Sequence, residues 1–274
     1  MKIKCNIYIA FILTLSLLGA VYRSSCLLML YDPNVGYLNS QSHSIGLAVF
    51  TVIGIVACAA AGYLFRHASF PLQPTEKGKQ VWAILHALAA ALCFFSGIST
   101  LSKSAIKTIN YDIFIGILSI ICAAFFLLLC SQDSSKSSSF FEKARPWVYM
   151  ICIALLFLLL CSSYFDMTVT ANGPLSIPFI FAILSCCLFF LMEMRTAIGR
   201  CIPSLHIGIT SVTIFLSVSV GISRLLFALF GNTGNGVTVS DPVYAAILLS
   251  VSLCAIARLM SVSIDSETKP ESAV

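Results

Sequence analysis

Long apolar runs recur eight times along the chain, each closed by a short polar stretch. They cover residues 5–28, 45–65, 81–101, 112–130, 147–166, 175–193, 206–230 and 242–260. A run of about 20 apolar residues is the length of an α-helix that crosses the hydrocarbon core of a bilayer. A β-barrel needs short alternating segments instead, and continuous runs exclude that pattern. The pattern therefore predicts an all-α polytopic transmembrane bundle of about eight helices. Proline marks several starts, in "RPW" at 145–147, "GPLSIP" at 173–178, "CIPS" at 201–204 and "SDP" at 240–242. Proline suits a first helical turn, where its missing N–H costs no bond.

The stretch 131–146, "SQDSSKSSSFFEKARP", is serine-rich and polar and reads as a linker between four spans and four. It divides the single membrane domain, 1–274, into candidate halves 1–130 and 147–262. The third span of each half begins Leu-His, at Leu85–His86 and Leu205–His206, and later reaches Gly-Ile-Ser. These matches suggest a 4+4 direct repeat, an arrangement transporters use.

Composition agrees with the pattern. Hydrophobic residues make up 59% of the 274 and charged residues 10%, with a mean hydropathy of +0.98. A soluble domain carries about 25% charge. The net charge of +5 is not gathered into a stripe, so nucleic acid is not an expected partner. The bilayer is. Its sign matters through orientation. Twelve of the sixteen basic residues fall on the side of the N-terminus, including Arg66, Lys77, Lys79, Lys136, Arg145, Arg195, Arg200 and Arg258. By the positive-inside rule both termini are cytoplasmic and the membrane is a cell membrane, inner or plasma. The first span also resembles a signal peptide, but Leu18 is a poor residue three places before a cut at Ala20. It is expected to stay uncleaved. Most of the twelve cysteines lie inside apolar runs without a C-x-x-C pair. They read as small packing residues, and no metal or cofactor is expected.

The seventh span carries a permanent charge, Arg224. Gly221, Ser217, Thr213, Thr210 and His206 precede it at steps of three or four, on one arc of a helix. Ile209, Phe215, Leu216, Ile222, Leu226 and Leu229 occupy the other side and read as lipid-facing. An intramembrane charge faces the bundle or a cavity almost without exception. Arg23 repeats the theme in the first span. Both arginines sit toward the outer side, where Asp166, Asp112, Asp32 and Asp241 are candidate partners, Asp166 first. Two readings stay open. One is a site for a small molecule or ion, and the other is ion pairing that fixes helix packing.

His86 and His206 begin spans near the cytoplasm. They read as interfacial polar residues, with a metal or proton site between the repeats as the alternative. Glu193 reads as a surface charge pairing locally with Arg195, with a proton acceptor as the lesser reading. Gly46, Gly54, Cys58 and Gly62 form a small-residue ladder in the second span, suited to close helix packing, with homodimerisation as the lesser reading. The loop "GNTGNG" at 231–236 has the composition of a flexible turn, and an anion cradle is its other reading. No H-E-x-x-H or G-x-S-x-G motif is present, so no enzyme is expected.

The eight-span layout, the tiny loops, and "YFDM" at 164–167 before a Pro-led sixth span resemble uncharacterised multi-pass membrane proteins of anaerobic Gram-positive bacteria. That resemblance implies no activity. The residues themselves point to a small-solute transporter or ligand-binding membrane protein with a polar site toward the outer face. The alternative is a non-catalytic subunit, sensor or assembly factor whose intramembrane polar residues are structural. Oligomeric state is open.

Overall fold

In lipid, every backbone N–H and C=O must be satisfied within its own segment, so apolar runs of this length become helices. A computed structural model describes residues 2–32, 35–64, 68–69, 78–104, 110–130, 139–165, 173–231, 242–261 and 263–264. Among them are eight helices: α1 (Lys2–Leu30), α2 (Gln41–Leu64), α3 (Lys79–Ser104), α4 (Asn110–Cys130), α5 (Ser139–Phe165), α6 (Ser176–Ala197), α7 (Pro203–Phe230) and α8 (Pro242–Met260). All eight are long and apolar enough to span a membrane. The chain is an all-α polytopic membrane protein. The end of the bundle where α1 begins and α8 finishes is called the base here, and the opposite end the top.

Proline behaves as expected at α7 and α8, each of which begins on one. At α5 it does not. The helix starts at Ser139, and Pro146 lies inside it. The polar residues before the proline continue the helix beyond the apolar run, which lengthens α5 at the base.

Two helices form the centre. In α8, 72% of the spanning window is buried inside the bundle, and in α7 67%, against 17% in α2. Helix α7 packs against α1, α2, α6 and α8, while α3 packs chiefly on α4 and α8, and α5 joins α4 to α6. A two-fold relation between the halves would surround α3 with α5 and α6, as α1 and α2 surround α7. Among the described residues α3 has no comparable packing on α5 or α6. Two short strand pairs complete the chain. Tyr31–Asp32 pairs with Tyr37–Leu38 at the top, and Ala68–Ser69 pairs with Ser263–Ile264 at the base.

The central place of α7 corrects its lipid-facing side. Phe215 and Leu216 are buried, and of the six residues expected to meet lipid only Leu229 is fully exposed. A helical stripe of polar residues marks one buried face. It does not make the opposite face free when four helices surround the rod. The glycine ladder of α2 does pack inside the molecule. Gly62 meets Gly208, and Gly54 lies against Phe215 of α7.

Candidate functional site

A five-residue turn joins α6 to α7 and decides which side chains meet. Arg200 N–H bonds to Arg195 O, and Gly199 N–H bonds to Thr196 O. Gly199 adopts φ 80°. This is the Schellman way of ending a helix, which needs a left-handed residue and favours glycine. Ile202 is extended, and Pro203 opens α7. The turn sets the last turn of α6, with Glu193, against the first turn of α7, with His206. Helix α8 ends beside them and brings Arg258.

The three groups share one oxygen. Glu193 Oε1 accepts from His206 Nε2 at 2.8 Å and from Arg258 Nε at 2.8 Å. Tyr149 of α5 donates to Glu193 Oε2 at 3.4 Å. All four residues are buried, Glu193 to 5% exposure. Glu193 is therefore no surface charge, and its partners are not its neighbour Arg195. Each of the four sits near a span end, where interfacial solvation is the ordinary reading, and only the meeting of four helices removes them from water.

The proton placement on His206 follows from its neighbours. Thr196 Oγ1 donates to Met192 O at 2.9 Å, so toward His206 Nδ1, 3.2 Å away, that oxygen accepts. A ring that donates from Nδ1 to Thr196 and from Nε2 to the carboxylate is an imidazolium. Cys201 Sγ lies 3.7 Å from the same Nδ1. When the thiol donates there instead, the ring is neutral, accepting at Nδ1 and donating from Nε2 to Glu193. Two hydrogen-bonded states thus exist without any heavy atom moving.

Beside this cluster lies a cavity lined by Trp82, His86, Arg145, Tyr149, Glu193 and Arg258, with Phe126, Leu129, Phe189, Phe190 and Cys254. About 20 Å³ is open to the centre of a water molecule, which is room for about one water. Trp82 donates to Leu129 O at 3.2 Å. His86 Nδ1 is 2.9 Å from Trp82 O, a carbonyl that can only accept, so Nδ1 carries the proton. Arg145, which the positive-inside count treats as a loop residue, is buried here at 4%. His86 lines this cavity and His206 belongs to the cluster beside it, and both are buried, which corrects their interfacial reading.

The top looks different. Arg224 is buried at 5%, with its guanidinium carbon 3.8 Å from the centre of the Phe179 ring. Phe179 stacks on Tyr244. The Tyr244 hydroxyl lies 3.1 Å from Ser162 Oγ and donates to Asp112 Oδ1 at 3.4 Å. Two aromatic rings thus link Arg224 to Asp112. Arg23 instead turns to α2 and donates to Thr51 Oγ1 at 3.5 Å. Asp166, Asp241 and the loop 232–236 lie outside the described residues, as do 131–138 of the linker.

The stripe between base and top is satisfied internally. Thr210 donates to His206 O, Thr213 donates to Ser185 O of α6, and Ser217 pairs with Cys186. These are helix-to-helix and helix-to-self bonds. No metal-ligating group of three or more His, Cys, Asp or Glu occurs among the described residues.

Arg224 gives a direct test of the top. A desolvated cation over an aromatic face contributes about 2 kcal/mol. Arg224→Met keeps much of the volume and removes the charge. It is expected to lower the unfolding midpoint in detergent by a corresponding amount, and Phe179→Leu should lower it likewise. A Met variant as stable as the parent would show that the charge does not hold α6 to α7.

No family model matches the chain, and no curated protein or solved structure matches it either.

Proposed function

We propose that this membrane protein is a proton-linked carrier of a small solute, with its protonation site at the base and not at the top. The observation that carries this reading is the single oxygen of Glu193 shared by His206 and Arg258 within the spanning helices. Ionisable groups inside a membrane are costly, and chains of Glu and His mark proton routes in pumps and transporters. Here a carboxylate and a tyrosine hydroxyl line a water-sized cavity, and the carboxylate is bonded to an imidazole with two available proton placements. Arg258 holds the carboxylate in place while the proton on the ring changes hands.

The base is the cytoplasmic side in this reading, because Lys and Arg collect there, and the membrane is a cell membrane. The solute itself would enter toward the cavity that α3, α4, α5, α6 and α8 line together. The hydroxyls along α7 favour a second reading for that stripe alone. Being satisfied by neighbouring backbone, they act as packing groups, which is what a non-catalytic membrane component would need.

Proteoliposomes with a trapped pH-sensitive dye test the proposal. An imposed pH gradient should collapse faster with the protein than in protein-free vesicles, and Glu193→Gln should return the rate to the protein-free value. Equal rates with and without the parent protein would favour the packing component.

A further inference from the structure

The α6–α7 turn carries a second chemistry. Cys201 Sγ faces His206 Nδ1 at 3.7 Å, and Glu193 holds the other ring nitrogen at 2.8 Å. A nucleophile beside a base, with the base oriented by a third group, is the arrangement that activates a thiol. Burial pushes the Cys201 thiol up. The bonds with His206 and Thr196 and the charges of His206 and Arg258 outweigh it and hold the thiol below its ordinary value. A thiolate-prone, partly exposed cysteine is the reactive kind.

Its surroundings indicate what it would react with. Cys201 lies outside the spans, on the base side, and is half-buried. Ile198, Ile202 and Leu205 around it are exposed at 58%, 43% and 44%. These three exposed apolar side chains flank Cys201 in sequence between the spans of α6 and α7, a shelf in this reading, with Arg195 in the last turn of α6 and Arg200 in the turn itself. The shelf fits a hydrocarbon chain that continues into the membrane, and the arginines fit an anionic donor or headgroup. Cys58, Cys93, Cys186 and Cys254 are buried inside the bundle, away from any bulky reagent.

We propose that Cys201 is an S-acylation site that takes a long-chain fatty acyl group from an acyl thioester at the base face of the membrane. His206 Nδ1 takes the thiol proton as Sγ attacks the thioester carbonyl. The tetrahedral adduct collapses, the donor's carbon–sulfur bond breaks, and the departing thiolate recovers the proton from His206. One thioester replaces another, with no oxidation or reduction. The inference rests on the geometry of Cys201, His206 and Glu193 and on the exposed shelf, not on proton transport.

The test uses the full chain in lipid nanodiscs with palmitoyl-CoA as donor and intact-mass spectrometry as readout. One palmitoyl adduct is expected, mapped to Cys201 by peptide analysis, released by neutral hydroxylamine, and missing in Cys201→Ser. His206→Gln should slow its formation about a hundredfold, the lower end of the range for loss of a positioned base. The second measurement needs no variant. In the parent protein, limiting iodoacetamide near neutral pH should label Cys201 before any other cysteine. An adduct on another cysteine, no adduct at all, equal labelling across cysteines, or a His206→Gln rate equal to the parent's would each overturn the proposal. Mass increase and dye response are separate readouts, so failure of proton flux with a Cys201 adduct present rejects only the carrier reading. The reverse result rejects only acylation.

Discussion

Glu193→Ala is expected to lower stability by about 3–5 kcal/mol, the range for breaking a buried pair by removing one partner. The size follows from what is left behind. Arg258 Nε and His206 Nε2 both donate to the lost oxygen, and both belong to residues buried at 1–2%. Their polar groups would face a hydrocarbon interior without that carboxylate. A whole domain is stable by only about 5–15 kcal/mol, so the variant should unfold early in a thermal scan in detergent. Replacing Glu193 and Arg258 together with methionine removes the charge pair as a unit and should recover most of the loss, since apolar substitutes for buried pairs are often neutral or better. A single alanine variant that melts with the parent would mean that the cluster does not hold α6, α7 and α8 together.

Gly62→Ala is expected to be strongly destabilising. A Cβ there would lie 2.6 Å from Gly208 N and from Ser204 O and 2.7 Å from Gly208 Cα. These are backbone atoms, and no rotamer change relieves them. Helix α2 leans mainly on α7, so the strain must push the two rods apart. Overpacking costs about 1–3 kcal/mol, and backbone contact places this case at the upper end. Gly46→Ala on the same ladder is the internal comparison. Its added methyl would meet Tyr22 Oη at 2.8 Å, the end of a side chain that can swing aside. Melting curves of the two variants should separate clearly, and equal midpoints would show that the α2–α7 crossing is slack.

The spans were legible because a bilayer imposes one length and one polarity on every crossing. The observed helices follow the apolar runs closely, and the largest difference, at the start of α5, comes from polar residues that extend the helix past the run. The buried face of α7 was legible for a similar reason, since Arg224, Ser217, Thr213 and Thr210 share one arc. The base cluster was not. Glu193, His206 and Arg258 each stand at a span end, and a charge there is ordinarily solvated. Their meeting depends on tertiary placement of α8 beside the α6–α7 turn. One signal was present: a Glu and a His thirteen residues apart, on either side of a turn with Gly199 in it and Pro203 after it, lie at the same level in a tight helical hairpin. The place of Arg224 over the Phe179 ring was beyond sequence as well, because depth along the membrane ranks only carboxylates.

The close packing of α1 on α7 has a consequence for how the protein is made. Tyr8 and Ser211 meet at 2.7 Å although 203 residues separate them. Ribosomes add about 5–20 residues each second, so α1 waits roughly 10–40 s for the surface that covers it. During that interval Arg23 is already in or near the lipid, where an arginine costs up to about 2.5–3.5 kcal/mol on insertion scales. Helix α2 is in the same position, since its glycine ladder also awaits α7. The first two helices therefore enter the membrane as guests of the insertion machinery and become part of a protein only when the seventh arrives.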